Sequence, residues 1–220
     1  MAILIDRIGE TRRMNNGLMA TIIRYRNAMD IDVEFENGQK HLGTRHELFK
    51  KGKVRCPVIV KNYGIYCKII NPNLKTNPSF LVDSEDLERV MNFGNWCTNA
   101  DGYIINQKEK TTILLHRFIA VPPNNKEIDH INGDKSDNRK LNLRACNNKQ
   151  NIRNRLLTKS NTSGYKGVSW INREKEWQAS ICVNRKQIYL GIYDKPEQAA
   201  EAYNRAALLL HGEFARINKI

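Results

Sequence analysis

A chain of 220 residues with 40% hydrophobic and 27% charged residues is long enough to bury its own cores without disulfide staples and too apolar to stay disordered. Its 36 Lys and Arg against 23 Asp and Glu leave a net charge of +13, which favours a polyanionic partner. No apolar run reaches the roughly 18 residues that a membrane span needs, and the opening MAILIDRIGE meets Asp and Arg too early for a signal-peptide core, so a cytoplasmic protein with no membrane partner is expected.

Residues 1–57 read as a small β-rich module. MATIIRYR and DIDVEFENG alternate apolar and polar residues, and ENG and KKG mark turns. Its arginines, Arg12, Arg13, Arg24 and Arg26, fit either a phosphate contact or a solvated face. A loop is expected at NPNLKTNPS; FLVDSEDLERVMNF then combines an apolar run with an acidic helix start, and TTILLHRFIAV reads as a buried strand or helix ended by Pro122 and Pro123. Five scattered cysteines, Cys56, Cys67, Cys97, Cys146 and Cys182, form no C-x-x-C pair; they are expected as reduced thiols, with no structural zinc site.

The stretch EIDHINGDKSDNRKLNLRACNNKQN begins at Glu127. Its Asp, Asn and Gly suggest a calcium loop, but counting from Asp129 puts Ile131 and Lys140 at loop positions 3 and 12, where oxygen ligands should stand, so that reading fails. A plain surface hairpin would explain NGD and SDN. Against it stand the intervals: Asn142 lies 12 residues and Asn151 lies 21 residues beyond His130, as two strands and a helix would need to aim an imidazole, a carboxylate and an amide at one ion. From Lys135 to Lys159 there are eight Lys and Arg and one acidic residue, so the basic charge is concentrated beside this pair.

With LLHRFIA, DHINGD, DNRKLNLR and NNKQN, this region resembles the HNH nuclease family, in its His-Asn-Asn subgroup of homing endonucleases. The resemblance implies a ββα-metal site. In it His130 is the general base, Asn142 orients that ring and holds the loop, and Asp129 and Asn151 give oxygen ligands to a single Mg²⁺ or Mn²⁺, with no small-molecule cofactor. His116 matches the family's LHR segment and is expected to pack or support rather than catalyse.

After the linker TKSNTSG, the segments GYKGVSW, WQASICV and QIYLGIY read as three strands, and DKPEQAAEAYNRAALLLHG as an alanine-rich helix with an Asp194/Glu197 capping box and a stop at Gly212. Alternation points Val168, Ala179, Ile181, Ile188, Leu190 and Ile192 at the helix. YKGV, WQASI, YLGIY, EQAAEAYNRAA and GEFARIN resemble the plant ethylene-response-factor (APETALA-type) DNA-binding domain, whose sheet lies in the major groove. The outward Ser169, Gln178, Ser180, Gln187 and Tyr189, with Lys166, Arg185 and Lys186 beside them, are the expected DNA contacts. Serines where that family places arginines imply a different or less sharp base preference. RIGET, IIRY, VEFENG and LFKKG resemble, more loosely, a small β domain at the start of phage HNH-like proteins.

The expected whole is an α+β multidomain chain: an N-terminal β module at 1–57, a central ββα-metal nuclease domain at 58–159, and at 160–220 a three-stranded antiparallel sheet packed on one helix. The expected function is metal-dependent hydrolysis of double-stranded DNA, nicking one strand, by a monomer or weak dimer. Arg139, Arg144, Lys149, Arg153 and Arg155 are expected on phosphates. The alternative is a DNA-binding regulator on a non-catalytic nuclease scaffold; an RNA-binding protein lacks the exposed aromatic stacking motifs it would need.

Overall fold

A computed structural model of the chain describes residues 6–73, 79–108, 111–155, 157 and 160–220. The loop expected at 71–79 and the linker expected at 158–164 fall partly outside them. The fold is mixed α and β, with several small antiparallel sheets and few helices. It divides into two compact units, Met1–Ile119 with Lys135–Lys140, and Ala120–Asp134 with Leu141–Ile220. Among the described residues no helix is long and apolar enough to cross a membrane.

In the first unit β1 (Thr11–Arg13), β2 (Met19–Asn27), β3 (Asp30–Phe35) and β4 (Lys40–Thr44) form one antiparallel meander. Alternation turns Ala20 and Ile22 of β2 and Ile31, Val33 and Phe35 of β3 onto a common core, which α1 (His46–Lys50) closes with Phe49. Arg26 forks onto Asp30 and Asp32 at 2.6–2.9 Å. A second sheet joins β5 (Ile59–Asn62), β6 (Tyr66–Ile70) and β7 (Ser79–Asp83), and α2 (Leu87–Phe93) follows. A third joins β8 (Cys97–Thr98), β9 (Ile104–Lys108) and β10 (Thr111–Leu114). TTILLHRFIAV is both strand and helix, since α3 (Leu115–Ala120) begins where β10 ends.

In the second unit β11 (Glu127–His130) pairs with β12 (Leu143–Cys146), and α4 (Asn148–Asn154) follows. A capping box starts α4: Asn147 Oδ1 accepts from the Gln150 N–H, and Gln150 Oε1 accepts from the Asn147 N–H. Then β13 (Val168–Ile171), β14 (Glu176–Val183) and β15 (Lys186–Tyr193) make an antiparallel sheet backed by α5 (Pro196–His211). The buried Ala199, Ala200, Ala202 and Ala207 bring α5 close to the sheet, and Gly212 ends it.

Two expectations fail against this fold. The Asp194/Glu197 capping box does not form: Pro196 occupies the first helical turn, which suits its fixed φ and absent N–H, so Lys195 is the N-cap and Asp194 falls one residue too early. Ile192 does not face the helix. A β-bulge between Ala179 and Ser180 pairs Ala179 with Gly191 and Gln178 with Ile192, which inverts the alternation of β15 beyond Leu190 and turns Tyr193 inward beside Trp177.

Candidate active site and nucleic-acid interface

The pleat of β11 puts Glu127 and Asp129 on one face of the two-stranded ribbon, and α4 lies over that face. Asn148, Asn151 and Asn154 recur every three residues and therefore share a side of the helix. Each donates its amide to the strand: Asn148 to Glu127 Oε1 at 3.3 Å, Asn151 to Glu127 Oε2 at 2.7 Å, and Asn154 to both carboxylate oxygens of Asp129 at 3.0 and 2.9 Å. The Asn154 amide also lies 2.9 Å from the His130 carbonyl and 3.3 Å from that of Ile131, so one buried side chain ties the helix to both halves of the Asp-His pair.

Asp129 is itself buried. Its cross-strand neighbour Arg144 reaches Oδ2 through Nε at 3.0 Å and Nη2 at 2.8 Å. Oδ2 thus accepts two N–H groups of Arg144, the Asn154 amide stands between Oδ2 and Oδ1, and among the described residues Asn154 is the one donor at Oδ1, which keeps a lone pair. Burial, with the Asp129 and Glu127 carboxylates nearby, pushes the Cys146 thiol up to about 11, so it stays protonated.

His130 ends β11 and is 5% exposed. The chain then turns through Asn132 and Gly133: the Gly133 N–H donates to the His130 carbonyl at 2.9 Å, with φ +80° at the glycine. Asn142 pins that turn, since its Oδ1 accepts from the Asn132 N–H at 2.9 Å and its carbonyl accepts from the Ile131 N–H at 2.8 Å. His116 belongs to the first unit, where it is buried with its ring 5.3 Å from that of Tyr103.

Several cations expected to contact DNA have intramolecular partners in the folded chain. In the first unit Arg139 forks onto Asp137 at 2.7 Å and sits 5.0 Å from the Tyr66 ring. Arg144 has a side chain only 12% exposed. Lys166 is half-buried, its ammonium 2.8 Å from the Arg155 carbonyl and also donating to that of Arg153, and burial followed by nearby Arg216 pushes its pKa down to about 8. Lys149 and Arg155 are exposed, and Arg153 is half-buried.

On the outer side of the C-terminal sheet Ser169, Gln187 and Tyr189 are exposed and Gln178 and Ser180 are half-buried, while Arg185 and Lys186 are exposed at the β14–β15 turn, with Lys186 paired to Val183 and so on the face of Ile181 and not on the outer one. Gln187 donates to the Ser180 hydroxyl at 2.8 Å, so this pair presents one joint polar group. Asn184 and Arg185 both take positive φ, 52° and 66°, in the two-residue turn that carries Arg185 to the tip of the β14–β15 hairpin. Trp170 and Trp177 pack edge-on at 5.0 Å.

Glu127, Asn148 and Asn154 are the members of the site that the Asp-His intervals do not pick out. The signal for them was an Asn at every third position facing two acids at alternate strand positions.

An HNH endonuclease family model matches residues 120–153, and an AP2 domain model matches residues 163–213. An uncharacterized HNH endonuclease of Acanthamoeba polyphaga mimivirus is 33% identical over 148 residues, covering 64% of this chain and 76% of its own length. Protein 3.8 of Escherichia phage T7 is 39% identical over 89 residues, 40% of this chain and 73% of that protein. An APETALA2-like protein of Oryza sativa is 42% identical over 60 residues, 27% of this chain and 14% of the plant protein. No solved structure matches. The first matched segment takes in the ribbon bearing Asp129 and His130 and all but the last residue of α4, the second takes in the helix-backed sheet, and the chain belongs to the HNH endonuclease family, with an AP2 domain following its nuclease motif.

Proposed function

We propose that this protein is a metal-dependent DNA endonuclease of the homing type, which reads double-stranded DNA with its AP2 domain and nicks one strand with its ββα unit. The observation that carries this reading is the packing of α4 on β11, where three asparagines organise two carboxylates beside His130. His130 is the general base that takes a proton from the attacking water, as an imidazole does well near neutral pH. Its narrow exposure and the Asn142-pinned turn restrict where that water can stand.

Asp129 Oδ1 and Asn151 Oδ1 are the protein ligands of one Mg²⁺ or Mn²⁺. The donor chemistry fits: Asp129 Oδ1 has a lone pair to give, and Asn151, whose Nδ2 is held by Glu127, has its amide oxygen left to offer. Among the described residues no group of three or more His, Cys, Asp or Glu could hold an ion. A site with two protein oxygens suits Mg²⁺, which keeps waters and takes substrate phosphate oxygens. When bound, the ion would neutralise charge developing on the phosphate and on the leaving 3′ oxygen.

Lys149, Arg153 and Arg155 contact the DNA backbone, while the sheet residues Ser169, Gln178, Ser180, Gln187 and Tyr189, with Arg185 and Lys186, read the groove. The test is nicking of supercoiled plasmid by the wild type and by His130→Ala, each with Mg²⁺ or with a chelator, beside a gel shift on the same DNA. Nicking that needs both the ion and His130, in a variant that still shifts DNA, supports the nuclease. Binding with no ion-dependent cutting overturns it in favour of a DNA-binding regulator.

A further inference from the structure

Resting on the reading of Asp129 as an ion-holding carboxylate, we propose that the segment Gly212–Arg216 of the AP2 region is a working part of the nuclease centre, with Arg144 as a positioning residue that transmits its hold to Asp129. The guanidinium of Arg144 is gripped from both sides. Nε and Nη2 donate to Asp129 Oδ2, Nη1 donates to the Glu213 carbonyl, and Cζ lies over the buried Phe214 ring, 4.1 Å from its centroid. Two residues on, Arg216 Nη1 donates to the Asn132 carbonyl at 3.0 Å, in the turn that follows His130. One short segment therefore fastens the carboxylate through its cross-strand partner and the imidazole through its loop.

The chemistry of arginine makes this hold specific. Its planar fork is always charged and can serve a carboxylate and a carbonyl at once, which a lysine ammonium cannot do in the same geometry. By putting two N–H groups on Oδ2 it fills the acceptor positions of that oxygen and leaves Oδ1 as the ligand oxygen. The AP2 domain is thus more than a tethered reader of sequence: the end of α5 runs directly into the segment that sets the geometry of the cutting centre.

The test uses charge-conserving variants of the full chain, because deleting the Arg144 charge would by itself strengthen the pull of Asp129 on a cation. Mn²⁺ binding to Arg144→Lys and Phe214→Ala is followed by electron paramagnetic resonance of the free ion, and the Mg²⁺ concentration for half-maximal plasmid nicking is measured in parallel. Both variants are expected to weaken Mn²⁺ binding about tenfold, the usual size of the effect when outer support is removed, and to raise the Mg²⁺ requirement alike, with DNA affinity in a gel shift within twofold of wild type. Asp129→Asn separates the two readings. If it binds Mn²⁺ like the wild type, the ligand assignment itself falls. If it loses Mn²⁺ while both supporting variants bind normally, this proposal alone is overturned. Should Phe214→Ala also lose its gel shift through misfolding, Arg144→Lys decides.

Discussion

Asn154 gives the sharpest test of how the site is built, because Asn154→Ala removes a buried donor group without touching an expected catalytic group. The amide has two N–H groups, yet four acceptor atoms lie within 3.3 Å of its nitrogen: both Asp129 oxygens and the carbonyls of His130 and Ile131. Only two good bonds can therefore form at any moment, one to the carboxylate and one to a carbonyl. A bond to a charged group is worth about 1.5–3 kcal/mol and a neutral one about 1 kcal/mol, so the variant should lose about 3 kcal/mol. With a urea slope of about 1–3 kcal/mol/M, the unfolding midpoint falls by about 1 M or more. Near-ultraviolet dichroism and tryptophan emission, with the buried Trp96 of the first unit replaced by Phe, follow the second unit through Trp170 and Trp177. Asn154→Asp should be worse at neutral pH, since it sets a second carboxylate about 3 Å from Asp129, and should recover partly in acid as one of the two protonates. A stability for Asn154→Ala within about 0.5 kcal/mol of the wild type would refute the argument, because the four close approaches would then carry no net energy.

Removing the exposed Lys149 or Arg155 should lower the slope of log affinity against log salt by about 0.9 for each phosphate left without its cation, whereas Arg139→Ala, whose charge Asp137 already holds, should leave the slope unchanged in a fluorescence-anisotropy titration. Gly167→Ala should unfold the C-terminal sheet and abolish the gel shift. The glycine has φ +75°, and a Cβ there would stand 2.0 Å from the Tyr203 ring and 2.6 Å from the Ser180 carbonyl; the expected loss exceeds about 3 kcal/mol, and a variant of wild-type melting temperature would refute it. His211 is buried against the Cys182 carbonyl, 3.2 Å from its Nε2, and burial first, then nearby Arg153 and Lys166, depresses its pKa. The folded state therefore resists protonation: stability from this residue is complete above the unfolded value of about 6.5 and is lost as pH falls through the lower folded value. Thermal melts from pH 8 to pH 5 should show that loss in the wild type and a flatter profile in His211→Gln.

Much of the chain was legible as one-dimensional pattern. Period-two alternation marked β2, β3 and the three strands of the AP2 domain, alanines at helical spacing marked the face of α5, and the 12- and 21-residue intervals from His130 picked out Asn142 and Asn151. These features are local, or depend on spacing alone. Other features needed neighbours that sequence does not supply. The bulge that turns Ile192 outward depends on how β15 meets β14, and the capping box at Asp194 lost to the proline two residues later.

For the charged residues the division is sharper still. Composition alone sets the number and signs of the charges, and hence the attraction to a polyanion, because charge is a property of each side chain wherever it lies. Whether a given cation is free for phosphate is a property of its nearest carboxylate or carbonyl, and that is decided only in three dimensions. Arg139, Arg144 and Lys149 look alike as letters in one basic run; folding hands the first to Asp137 and the second to Asp129 and Glu213, and leaves the third on the surface.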